Sequence, residues 1–164
     1  MAQLAIRVAQ AADWPHIWPF FAQIVEAEET YAYPRGLTIE TGRSVWMEPA
    51  PSRVTVALLD GVIVGSAKAG PNRPGPGSHV ATAGFMVDPG HAGKGIGRAL
   101  AEDALAWAAA AGYRSMQFNA VVETNTGAVH LWESLGFTIL ATVPEAFDHR
   151  QQGLVGLHIM YRPL

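Results

Sequence analysis

The chain is expected to fold as one α/β domain over residues 1-164, a mixed sheet, antiparallel early and parallel around one helix, with helices on both faces. Three observations carry this expectation. The strand-like and helical patterns alternate as β-α-α-β-β-β-α-β-α-β-β, Asp60-Gly61 sits between two apolar runs as a tight hairpin turn, and one apolar run leads directly through a glycine-rich turn into an alanine-rich helix. A chain of 164 residues is long enough to bury roughly 68–70% of the surface its unfolded form exposes.

Leu4 to Ala9 alternates as a first strand. Asp13-Trp14-Pro15 then starts a helix, with Asp13 as N-cap and proline in the first turn, running to about Glu28. The connector Glu28 to Gly36 breaks the pattern, and Thr38 caps a short helix reaching Trp46. Arg53–Leu59 and Val62–Lys68 form the hairpin, and Gly70 to Gly77 is too rich in Pro and Gly to be regular. His79 to Val87 returns to strand, Gly97 to Ala111 is helix stopped by Gly112, and Tyr113 to Val122 is strand. Asn125 caps a helix ending at Leu135-Gly136, and Phe137–Val143 and Leu154–Tyr161 complete the sheet around a Pro144–Gly153 loop.

Composition narrows the function classes. With 49% hydrophobic residues, 15% charged residues and a net charge of −3, the chain has no basic excess to hold nucleic acid or an acidic membrane by charge. No apolar run reaches the roughly 18 residues of a spanning helix, and Met1 to Arg7 lacks a secretory pattern, so a cytoplasmic protein is expected. Without cysteine, the chemistry must use oxygen, nitrogen or a bound cosubstrate.

The most informative segment is Val87-Asp88-Pro89-Gly90-His91-Ala92-Gly93-Lys94-Gly95-Ile96-Gly97-Arg98-Ala99-Leu100. Glycines let backbone N–H groups approach an anion, and a helix start adds unpaired donors and a positive dipole end, so the ligand should carry phosphate. A P-loop would need glycine at position 88 and Ser or Thr at 95, where Asp88 and Gly95 stand. A dinucleotide fingerprint from Gly93 or Gly95 would need glycine at Arg98 or Leu100. What remains, strand-Val-x-Pro-x-x-x-Gly-Lys-Gly-Ile-Gly-x-x-Leu-helix, resembles the acetyl-CoA motif of the GCN5-related N-acetyltransferase (GNAT) family. Asn125 through Phe137 resembles a second segment of that family, Asn-x-x-Ala-x-x-Leu-Tyr-Glu-x-x-Gly-Phe, and the element order follows it across the whole chain.

The resemblance implies a six- to seven-stranded mixed sheet splayed between strands 4 and 5, with acetyl-CoA as cosubstrate in the splay. Its pyrophosphate would rest on the backbone of Ala92, Gly93, Lys94, Gly95, Ile96 and Gly97, with Lys94 and Arg98 adding charge. The pantetheine arm would pair with the strand edge at Phe85, Met86 and Val87, beside Asn125 and Trp132. Two positions depart from the family pattern. Ala92 stands where Gln or Arg is usual, removing one phosphate contact, and Trp132 stands where many members carry a Tyr that protonates the leaving thiolate. Indole cannot supply that proton, although coenzyme A thiolate leaves tolerably without it.

Attack of a neutral amine on the thioester needs closeness, a proton acceptor and an oxyanion donor. By family analogy the donor is a backbone N–H of Met86 or Val87. Asn119, read as a buried amide in an apolar strand, could hold the substrate, and Asn125 could serve the site or only cap its helix. No Asp or Glu lies between His79 and Val87, which leaves His79 or a water chain as base. Gln117-Phe118-Asn119 followed by Asn125 is similar to the yeast acetyltransferase acting on proline analogues such as azetidine-2-carboxylate. Tyr31 and Tyr33 could line the acceptor pocket, and Arg35 or Arg150 could hold a carboxylate.

The expected activity is acetyl transfer to a small-molecule amine, an amino acid or analogue, with no metal, nucleic acid or membrane partner. Exposed sheet edges could pair two copies into a homodimer. The alternatives are a catalytically silent acyl-CoA-binding module and a protein N-acetyltransferase. A nucleotide-binding phosphotransferase lacks the P-loop features.

Overall fold

The computed structural model describes Met1 through Leu164. Strand β1 (Leu4–Val8) is followed by α1 (Trp14–Ala27), α2 (Ile39–Trp46), β2 (Arg53–Leu59), β3 (Val62–Pro71) and β4 (Val80–Val87). Helix α3 (Ile96–Ala110), β5 (Ser115–Val122), α4 (Thr126–Ser134), β6 (Thr138–His149) and β7 (Gly153–Pro163) complete the chain. The seven strands form one sheet in the order β1-β2-β3-β4-β5-β7-β6. Every neighbouring pair is antiparallel except β4 and β5, the two strands joined through α3.

Local chemistry explains most of these elements. Asp60 and Gly61 both take positive φ, 51° and 82°, the conformation a two-residue hairpin needs. Thr38 Oγ1 accepts the Thr41 N–H at 3.2 Å and starts α2. Asp13 precedes α1 as expected but does not cap it with its side chain. Its carboxylate instead accepts the Gln10 N–H at 2.7 Å and two donors of Arg7 at 2.7 and 2.9 Å, tying β1 to the start of α1. The hydrogen bond from Arg7 holds the Asp13 carboxyl below its usual range.

Packing sets the two faces. On one, Ile17 and Phe21 of α1 and Trp46 of α2 cover Val56 and Met86. The Trp46 indole donates to Ser66 Oγ at 2.9 Å, and that hydroxyl donates to the Thr55 carbonyl at 2.7 Å, so the buried polar atoms are paired. On the other face, Ile96 and Leu100 of α3 press on Ala57, Val64 and Ala67. A Cβ at Gly65 would stand 3.0 Å from Ile96 Cγ2 and 3.1 Å from Leu100 Cδ1, so the close approach of α3 to β3 depends on that glycine. Phe118 of β5, Trp132 of α4 and Phe137, the residue before β6, form a neighbouring aromatic cluster.

The Pro144–Gly153 segment is not a loop. Strand β6 continues through His149, and the hairpin turns over Arg150, Gln151 and Gln152. A register shift between Val143 and Phe147 accommodates Pro144, which cannot donate to a ladder, and Glu145 takes φ 53° there. Beyond the shift Phe147 and His149 are buried. The irregular stretch expected from Gly70 also begins later, because Gly70 and Pro71 still pair with Thr82 and Ala81 in β3.

Candidate active site

Strands β4 and β5 pair only at Val80–Ser115 and Ala81–Met116 before separating. Beyond that point β5 carries a bulge, its register with β7 shifting between Phe118 and Val121. Bulges of this kind redirect side chains at functional sites. The separation opens a cavity of about 470 Å³. Tyr31, Tyr33, Glu48 and Lys68 wall it on the side of α1 and α2, Phe85, Asn125 and Trp132 at the split, and Asn119 and Ala120 from the bulge.

Hydrogen-bond parity fixes which parts of β4 face the split. Asn72 N–H donates to the Val80 carbonyl and Asp88 N–H to the Val64 carbonyl, so the even-numbered residues from 80 to 88 bond to β3. Ala81, Ala83, Phe85 and Val87 therefore turn their backbone groups toward the split. Met86 points its side chain into the α1–α2 core at 1% exposure and gives its backbone to Ser66. It is removed as a backbone donor to a ligand.

The Tyr31 hydroxyl lies on that open edge. It accepts the Phe85 N–H and donates to the Phe85 carbonyl, both at 2.7 Å. Its ring stacks on Tyr33 with centroids 5.4 Å apart and meets Trp46 edge-on at 6.4 Å. Burial, reinforced by Tyr33, pushes the Tyr31 phenol well above its ordinary value. Burial and the nearby Glu48 carboxylate push Tyr33 up to about 12. Both phenols are neutral at working pH.

At the end of β4, Asp88 shapes the turn by accepting the Gly90 N–H at 3.0 Å and contacting His91 Nδ1 at 3.2 Å. Gly93 and Gly95 adopt φ of +76° and +75°, and a Cβ added at either would meet nothing within 4 Å. The N–H groups of Gly93, Lys94, Gly95, Ile96, Gly97 and Arg98 have no protein acceptor, whereas that of Ala92 makes a long 3.4 Å contact with the Pro89 carbonyl. An open turn with a run of unpaired donors at the start of a 15-residue helix fits a pyrophosphate.

A profile of the acetyltransferase (GNAT) family matches residues 14–137. The chain belongs to this family. It is 58% identical to a GCN5-related N-acetyltransferase from Kribbella flavida, with a TM-score of 0.96 over 98% of each chain. YncA of Salmonella typhimurium, a putative acetyltransferase solved with acetyl-CoA, is 25% identical with a TM-score of 0.85 over 99% of this chain and 94% of that one. The N-acetyltransferase aca1 of Schizosaccharomyces pombe is 39% identical over 99 residues, 60% of this chain and 47% of the yeast protein. The chain thus spans about half the length of that relative. The matched region is an acetyltransferase domain of the GNAT fold.

Within the GNAT domain the residues singled out from sequence separate into two groups. Tyr31, Tyr33, Phe85, Asn119, Asn125 and Trp132 line one cavity. Asn119 is exposed rather than buried, because the bulge lifts it out of the ladder; its Nδ2 donates to Asn72 Oδ1 and its Oδ1 accepts from Gln117 Nε2. Asn125 accepts the Ala128 N–H at 3.4 Å as a helix cap while also facing the cavity. Trp132 is 8% exposed and packs on Phe85, Phe118 and Phe137. Lys94 is exposed, and the Arg98 guanidinium is engaged by Ser134 Oγ and Glu102.

Three candidates, His79, Arg35 and Arg150, fall outside. His79 is exposed at the closed end of the split, where its carbonyl accepts the Arg114 N–H. Arg150 sits at the tip of the extended β6–β7 hairpin and donates to the Glu26 carbonyl at 3.0 Å. It borders a separate cavity of about 300 Å³ with Arg35, Trp18 and Val25. Conversely, Glu48 and Lys68 line the cavity and Asn72 bonds Asn119 beside it, and the sequence reading singles out none of the three. Lys68 was the readable one, a cation in an apolar strand, here bonded to the Val45 carbonyl at 2.9 Å and to Glu48 at 3.3 Å.

Proposed function

We propose that the chain transfers the acetyl group of acetyl-CoA to the primary or secondary amine of a small molecule, an amino acid or analogue. One observation carries the acceptor class: the space at the split is a cavity of about 470 Å³ walled by aromatic rings and short amides. Shared with the acyl-CoA arm at Phe85, Asn125 and Trp132, that volume leaves room for a small acceptor only. The unpaired donors from Gly93 to Gly97 hold the pyrophosphate, which sets the arm entering at Val87 and running toward Phe85 along the open edge of β4. The acyl end is then deepest, so the Phe85 N–H rather than that of Val87 faces the thioester carbonyl, and Val87 pairs with the arm.

Acetyl-CoA supplies an activated acyl group, and the chain supplies position. Asn119 orients the acceptor through its amide, and Tyr31 and Tyr33 exclude water from one wall. With no carboxylate on β4, His79 outside the cavity and the cavity's one carboxylate, Glu48, bonded to Lys68 at 3.3 Å, the ammonium proton leaves through solvent before attack. Lys68 and Glu48 place one positive and one negative charge on the acceptor wall, which suits a zwitterion.

Thiol release from acetyl-CoA with a panel of small amines, amino acids and N-terminal peptides tests this reading. Release with a small amine or amino acid is expected. Release with peptides alone would assign a protein acceptor, and binding without release on any acceptor would mark a silent acyl-CoA-binding module.

A further inference from the structure

Phe85 presents one donor and one acceptor to the split, and both are taken by a side chain 54 residues away in sequence, the Tyr31 hydroxyl, at 2.7 Å each. A hydroxyl placed between the N–H and C=O of one extended residue makes the contacts a ligand carbonyl and amide would make with that edge. Its position is not loosely held. The ring is fixed by stacking on Tyr33 with an interplanar angle of 4° and by the edge of Trp46, and the hydroxyl stands 3.3 Å from where a Cβ on Gly84 would be.

We propose that Tyr31 is a gate on acyl recognition: its hydroxyl and the thioester carbonyl compete for the Phe85 N–H. An acyl-CoA must displace the hydroxyl to gain that donor, whereas free coenzyme A, which has no acyl carbonyl, leaves the pair intact. Tyr31 thereby narrows the affinity difference between acyl donor and thiol product. The inference rests on the acyl-CoA reading of the split.

Calorimetric dissociation constants for acetyl-CoA, coenzyme A and S-ethyl-coenzyme A test it, the last having the bulk of the acyl group without its carbonyl. Tyr31→Phe keeps the stacking and removes the competitor, so acetyl-CoA should tighten about tenfold relative to both other ligands, the worth of one hydrogen bond to a buried donor. An unchanged ratio, or acetyl-CoA weakened selectively, would overturn the gate. A second readout uses the unmodified protein. With 15N-phenylalanine, one amide among the six phenylalanines should shift on adding acetyl-CoA and stay in place with coenzyme A; equal shifts with both would overturn it too. If no coenzyme A compound binds the unmodified chain, the acyl-CoA reading itself fails, a result distinct from bound ligands with an unchanged ratio.

Discussion

Asn119 Nδ2 donates to Asn72 Oδ1 at 2.6 Å, joining the bulge of β5 to the segment that leaves β3, 47 residues earlier. The bond holds the Asn119 amide at the wall of the cavity between β4 and β5, with its oxygen fixed by Gln117. Asn119→Ala is expected to raise KM for the amine roughly five- to tenfold, the scale of one hydrogen bond, while KM for acetyl-CoA stays constant. Asn72→Ala should give a smaller rise of the same kind, and the double variant should fall short of the product of the two. Steady-state kinetics with each substrate varied in turn checks all three.

The pH–rate profile should follow the acceptor. Tyr31 is raised well above its ordinary value and Tyr33 to about 12, both chiefly by burial, so neither phenol titrates between pH 6 and 10. With a neutral amine as nucleophile, kcat/KM should climb with pH and level off near the pKa of each amine tested. Profiles for two amines of different basicity should be displaced by that difference; a limb common to both would point to an enzyme group instead.

Acid stability should depend on Asp13. Its carboxyl titrates lower in the folded chain than in the unfolded one because Arg7 hydrogen-bonds it. The stabilisation is therefore complete above the ordinary carboxylate range and is lost as pH falls through the lowered folded value. Asp13→Asn should melt below the parent at neutral pH, and the gap between their Tm values should close as the solution is acidified.

Gly65→Ala should destabilise the fold by crowding α3, whose first residue, Ile96, also carries one of the unpaired donors. The added methyl meets Ile96, Leu100 and the Met86 carbonyl at 3.0 to 3.1 Å, and overpacking of this kind costs about 1–3 kcal/mol. For a chain of this length each kcal/mol lowers Tm by about 2–4 °C. A melting curve measures it directly.

Features that depend on local backbone chemistry could be read before the structure was known. The glycine run, the Asp60-Gly61 hairpin and the Thr38 cap each follow from the conformations their own residues favour, and they appear where expected. Features that depend on distant partners could not. Nothing in the residues around Asn119 signals a bulge, so its place in an apolar strand points to burial, whereas the residue is exposed. Pro144 suggested a loop, yet the buried Phe147 and His149 carry β6 past it and move Arg150 away from the split. The Tyr31–Phe85 bonds join segments with no shared pattern.

The central claim, that the glycine turn holds acetyl-CoA, is tested most directly by thermal unfolding with and without acetyl-CoA. Gly95→Glu puts a bulky anionic side chain at φ +75° among the unpaired donors, where space is open and the core is untouched. Acetyl-CoA should raise the Tm of the unmodified chain and leave that of Gly95→Glu unchanged. Equal shifts in the two proteins, or no shift in either, would contradict the account.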